Sequence, residues 1–106
     1  MNEQQPEVEP IGPGDVLRHE VLGGPVRITQ EELAQALKVS RHSINELVNG
    51  RRGVTADMAL RLAHVLDTDP DFWLNLQRDI DLHRARRKVG PALETLKVLR
   101  QAPEVD

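Results

Sequence analysis

With 106 residues, the chain has room for one domain of ordinary size plus tails. It holds no cysteine, which excludes disulfides, thiolate metal sites and a cysteine nucleophile together. Its net charge of −3 gives no bulk attraction to phosphate, no apolar run approaches the roughly 18–20 residues of a membrane span, and the acidic stretch Met1–Pro10 does not read as a secretory signal, so the chain is expected to be cytoplasmic.

The charge is unevenly spread. Residues 1–20 sum to −4 and residues 54–77 to −3, whereas residues 29–53 sum to +1 and residues 78–100 to +4. That distribution permits a polyanionic partner without demanding one. Phe72 and Trp73 are the only residues of the Phe, Tyr and Trp class, so the core must be made of Leu, Ile, Val and Ala, the usual material of a helical bundle.

Residues 1–10 (MNEQQPEVEP) lack an apolar period and read as an acidic, disordered tail. Gly12-Pro13-Gly14-Asp15 opens a first short helix, with Pro13 where a missing N–H costs nothing and Asp15 near the positive end of the helix dipole. Val16, Leu17, Glu20 and Val21 continue it, and Gly23-Gly24-Pro25 ends it. Thr29-Gln30-Glu31-Glu32 is a capping box for a second helix whose apolar face is Leu33, Ala34 and Leu37, with Val39 following in the turn as a further anchor. Ser40 caps a third helix, Arg41 to Asn49, with Ile44, Leu47 and Val48 turned inward and Gly50 as its stop.

Thr55 and Asp57 start a fourth helix with Met58, Ala59, Leu62, Ala63 and Leu66 inward. A fifth begins near Pro70, has Phe72, Trp73, Leu76 and Ile80 as its apolar face, and runs through Leu82 toward Arg87. Beyond a break at Gly90, Pro91 to Gln101 is expected to form a last helix striped by Leu93, Leu96 and Leu99. The fold class is all-α, and there are no internal repeats.

Two short helices joined by about four residues, the second capped by Ser and lined outward by polar side chains, form the helix-turn-helix arrangement. It spans Thr29 to Asn49. Arg41, His42, Asn45 and Glu46 are turned outward, where they can donate to or accept from base edges in a major groove wide enough for a helix. The competing reading is that these four residues are the solvated face of a surface helix.

The residues also carry a resemblance. TQEELAQALKVSRHSINELVNGRRG resembles the Cro/repressor class of helix-turn-helix proteins. The flanks PIGPGDVLRHEVL and GVTADMALRLAHVLDTDPDFWLNLQRDIDL resemble the HigA-type antitoxins within that class. The likeness covers roughly residues 10–83 and rests most specifically on Pro10, Pro13, Gly14, Asp15 and Leu17 together with FWLNLQ at 72–77.

The resemblance implies a five-helix, repressor-like DNA-binding domain over residues 11–83. The acidic tail of residues 1–10 precedes it, and a basic helix end, short helix and tail over residues 84–106 follow. It implies a homodimer that binds double-stranded operator DNA in its own promoter and a small basic toxin of the RelE-like ribonuclease type. On the matching positions, Gln30 would fix a phosphate, Arg41, His42 and Glu46 would face bases with Arg41 bidentate to guanine, and Ser43, Asn49, Arg51 and Arg52 would contact the backbone. Asn45 also falls on the reading face, where many relatives carry an acid. Lys38 stands in the turn where relatives mostly have Gly, the loop Gly23 to Ile28 is one residue longer than usual, and His83 replaces a common aromatic.

Other features point nowhere specific. His19, His42, His64 and His83 lack metal-ligand spacing. No Ser/His/Asp set, paired carboxylates or phosphate-cradling Gly loop occurs, so no enzyme activity, cofactor, metal or small-molecule substrate is expected. Phe72 and Trp73 are read as core residues fastening the fifth helix, not as a stacking platform. The run Arg84, Arg86, Arg87, Lys88 reads as a solvated helix end, with phosphate or an acidic partner surface as the alternative. Besides the antitoxin, a regulator without a toxin and an interaction protein that has lost DNA binding fit the same residues.

Overall fold

The protein is described by a computed structural model over residues 8–101 and 103; most of the expected N-terminal tail, residues 1–7, lies outside the described residues. The first helix, α1 (Pro13–Val16), starts where expected. The Gly12 N–H donates to Asp15 Oδ2 at 2.9 Å, so the carboxylate satisfies an orphan donor as well as the dipole. α1 then widens into a π-helical stretch, Leu17–Leu22, which the apolar pattern did not foretell. It ends at Gly23.

In α2 (Gln30–Leu37) the capping box is complete: Thr29 N–H donates to Glu32 Oε1 at 2.9 Å and Glu32 N–H to Thr29 Oγ1 at 3.0 Å. Ser40 Oγ accepts from Ser43 N–H at 3.0 Å at the head of α3 (Arg41–Val48). Thr55 caps α4 (Ala56–Leu66) through Met58 N–H, and Asp69 caps α5 (Pro70–Leu93) through Asp71 N–H. Among the described residues there are thus five helices and no strand.

The core lies where the helical periods place it. Leu17, Leu33, Ala34, Leu37, Ile44, Leu47, Val48, Val54, Ala59, Leu62 and Trp73 form one buried cluster, and Val39, Met58, Leu66 and Leu76 pack against its edge. α2 packs on α3 and α4, α4 on α5, and α1 bridges α3 and α5. No charged or polar residue is buried among those described.

Three expectations are corrected. Phe72 is not core: it is 42% exposed and meets Trp73 edge-on, rings 5.0 Å apart, while Trp73 is buried with its indole N–H on Thr68 Oγ1 at 2.7 Å. Phe72 lies about 100° round the helix from Trp73, on the side of the apolar face that α5 leaves open to solvent. The separate helix from Pro91 to Gln101 is absent, because α5 passes through Gly90 and Pro91 and stops at Leu93. Thr95 and Leu96 then turn back onto the carbonyls of Ala92 and Leu93. Leu93, Leu96 and Leu99 are all exposed, and a short helix with no covering surface is marginal in water. The basic run Arg84–Lys88 consequently lies inside α5, not at a helix end.

Candidate nucleic-acid interface

The outward face of α3 follows from its inward one. Burying Ile44, Leu47 and Val48 leaves Arg41, His42 and Asn45 exposed and Glu46 half-buried. Arg41, at the first position of the helix, makes no hydrogen bond or ion pair with another described residue. The Ser43 hydroxyl is 2.9 Å from that of Ser40. The Asn49 side-chain N–H donates to the Asn45 carbonyl at 2.9 Å and to Asn45 Oδ1 at 3.3 Å, joining two of the expected contact residues into one polar strip.

Glu46 is held from two sides. Arg52 donates Nε and Nη2 to its Oε1 at 3.0 and 2.7 Å, and His42 Nε2 lies 3.2 Å from its Oε2. The Arg52 guanidinium, with His42 adding to it, holds this carboxyl below the usual carboxylate range. The acid of α3 is therefore neutralised within the protein. Arg51, next to Arg52, is exposed and has no ion-pair partner among the described residues. Gln30, the residue after the Thr29 cap, is half-buried with its side-chain Oε1 lacking a partner among the described residues.

The residues that set this surface in place were missed by sequence reasoning. Arg18 donates to the Val48 carbonyl at 2.7 Å, clasping the end of α3 while Asp15 holds its other nitrogen at 2.7 Å. Arg61, paired with Asp57 at 2.6 Å, donates to the Leu37 carbonyl at 2.7 Å and closes the end of α2. Gln77 accepts from Val54 N–H at 2.8 Å and pins the basic loop to α5, its own amide held by Asp81 at 3.0 Å. The spacings Asp15/Arg18 and Asp57/Arg61 are legible helical pairs, but nothing in them announces a carbonyl 24 or 30 residues away. Arg84 pairs with Glu9 at 2.6 Å, so part of the basic run is spent on the chain's own start. No group of His, Cys, Asp or Glu suited to a metal occurs among the described residues, and no described helix is long and apolar enough to cross a membrane.

Comparison with known proteins places this geometry. The helix-turn-helix family profile matches residues 25–73. The HTH-type transcriptional regulator YbaQ of Escherichia coli (strain K12) is 49% identical over 74 residues, 70% of this chain and 65% of that protein, so the match leaves about a third of the relative's length unspanned. Antitoxin HigA-1 of Vibrio cholerae is 38% identical over 91 residues, 85% of this chain and 84% of the antitoxin. A solved structure of the Pseudomonas aeruginosa antitoxin HigA with the higBA promoter superposes with a TM-score of 0.79 at 41% identity, covering 87% of this chain and all of that one. The chain belongs to the HigA-type antitoxins of the Cro/repressor helix-turn-helix family.

Proposed function

We propose that this protein is an antitoxin that binds operator DNA as a homodimer, represses its own operon and neutralises a small basic toxin of the RelE-like ribonuclease class. The observation that carries the DNA reading is the edge of α3. Arg41 projects there without an intramolecular partner, while the acid of the same helix is neutralised by Arg52 and faced by His42. Arg41 takes the bidentate contact to guanine, with Asn45 and His42 beside it on neighbouring base edges. Gln30, Ser43, Asn49, Arg51 and Arg52 hold the phosphates on either side. Two copies present two such helices to half-sites about one turn of DNA apart. The likeness to a HigA antitoxin solved with promoter DNA supports this reading. Neither activity calls for catalysis, a cofactor or a small-molecule substrate.

The test uses a duplex from the chain's own promoter. The Arg41→Ala protein is expected to lose about 1–3 kcal/mol of specific affinity and to relax one base position. Wild-type protein that leaves this fragment unbound at low salt would promote the interaction-protein reading. The toxin half rests on the kinship with HigA-1. Co-expression with a neighbouring small basic protein is expected to restore growth and give a co-purifying complex. Failure of both would leave a regulator without a toxin, the reading that the name of the Escherichia coli relative favours.

A further inference from the structure

Glu46 stands in the middle of the outward face of α3, where the family pattern implies a base contact, yet both of its oxygens are engaged by the protein itself. Oε1 receives two donors from Arg52 and Oε2 faces Nε2 of His42. The Glu46 side chain is 27% exposed, against 76% for His42 and 48% for Arg52, so the carboxylate is the less exposed partner in both contacts. His42 precedes Glu46 by one helical turn and Arg52 comes from the loop after the helix. One carboxylate thus joins the first turn of α3 to the basic loop.

The geometry points to Glu46 as a positioning residue: it reads no base, and instead acts as the internal counter-ion that fixes Arg52 and His42 on the DNA-facing surface. The inference rests on the operator-binding reading above. Accepting from a cytosine amino group requires a carboxylate lone pair turned to the groove, and here Oε1 already receives two Arg52 donors and Oε2 faces His42, so a base would have to compete with these internal partners or share Oε2 with His42. An unneutralised acid on this surface repels phosphate. Arg52 has a flexible stem whose freedom is lost on binding; ordering it beforehand moves that loss from the binding step to folding. With Nε and one position of Nη2 directed at Glu46, its remaining N–H groups stay available to a phosphate.

The experiment measures binding of wild-type, Glu46→Gln, Glu46→Ala, Arg52→Ala and the Glu46→Ala/Arg52→Ala double variant by fluorescence anisotropy. The probes are the own-promoter duplex, its single-base-pair variants across a half-site, and a shuffled duplex of equal length. Removing the negative charge tightens binding to the shuffled duplex, while the loss of an ordered Arg52 denies the operator the same gain. The operator-to-shuffled ratio of Glu46→Ala therefore falls about fivefold, with the order of base preference unchanged at every position. In the Arg52→Ala background the same substitution moves the ratio by less than about twofold, and Glu46→Gln, which keeps an acceptor for Arg52, lies between wild type and Glu46→Ala. A preference relaxed at one base pair only would show that Glu46 reads a base and overturn the inference, as would an unchanged ratio. Wild-type protein that does not distinguish operator from shuffled duplex contradicts operator binding itself, and does so before any substitution is made.

Discussion

Lys38 carries the turn between α2 and α3 at φ 59° and ψ 46°, a left-handed conformation in which a Cβ costs on the order of 1 kcal/mol. The side chain is exposed, so nothing packs against it in return. Lys38→Gly is expected to raise stability by ~0.5–1 kcal/mol, the lost strain being partly offset by the greater freedom of glycine in the unfolded chain, and a melting curve checks it. Gly14 presents the opposite case. A Cβ there would stand 2.4 Å from the Leu47 carbonyl oxygen and 2.9 Å from that of Val48, so α1 can approach the end of α3 only with glycine. Gly14→Ala should cost ~1–3 kcal/mol in urea titration, because backbone must move to admit the methyl. Both sites stood out through the family pattern, where glycine is usual in the turn and Gly14 is part of the opening motif. The reason for Gly14, a contact with residues more than 30 positions away, was not legible.

The helices themselves were legible wherever a cap and an apolar period agreed. Thr29 with Glu32, Ser40 and Thr55 each start an element at the expected residue, and α5 begins at Pro70, near which it was expected, with an Asp69 cap that was not read. Thr29→Ala removes one half of the capping box and is expected to cost about 1 kcal/mol, read as a lowered denaturation midpoint. Reading failed at α5. Gly90 and Pro91 are breakers by propensity, yet α5 runs through both: space is open where a Cβ on Gly90 would lie, and although Pro91 forfeits its own bond to the preceding turn, only two helical residues follow it. Leucines at 93, 96 and 99 gave a helical period with no surface to bury it against. A period is a request for a partner surface, and the sequence could not show that this one goes unanswered within the chain. A chain ended after Thr95 should keep the melting temperature of the full chain in dilute solution; a marked drop would mean that a second copy covers these leucines.

Taken together, the molecule is a scaffold for the surface formed by α3 and the loop behind it. Arg18 from the π-helical stretch after α1, Arg61 from α4 and Gln77 from α5 each reach a backbone group at an end of α2, of α3 or of the basic loop. Hydrogen bonds from charged donors to carbonyls contribute about 1.5–3 kcal/mol when shielded, less at the exposure seen here. Arg18→Ala is accordingly expected to cost about 1 kcal/mol in stability and to weaken operator binding without changing base preference. The candidate reading face was legible because helical spacing fixes what points outward once the inward residues are known. Its electrostatics were not, because the pairing of Arg52 and His42 with Glu46 depends on how the loop folds back, and a sum of +1 over residues 29–53 conceals it.

That face carries the central claim, and anisotropy with the own-promoter duplex at increasing salt tests it most directly. The prediction is tight binding at low salt, a shuffled duplex bound at least about a thousandfold more weakly, a linear fall of log affinity with log salt, and an operator preference lowered about 5- to 150-fold in Arg41→Ala. Equal affinity for operator and shuffled duplex, or an Arg41→Ala protein with wild-type preference, would contradict it.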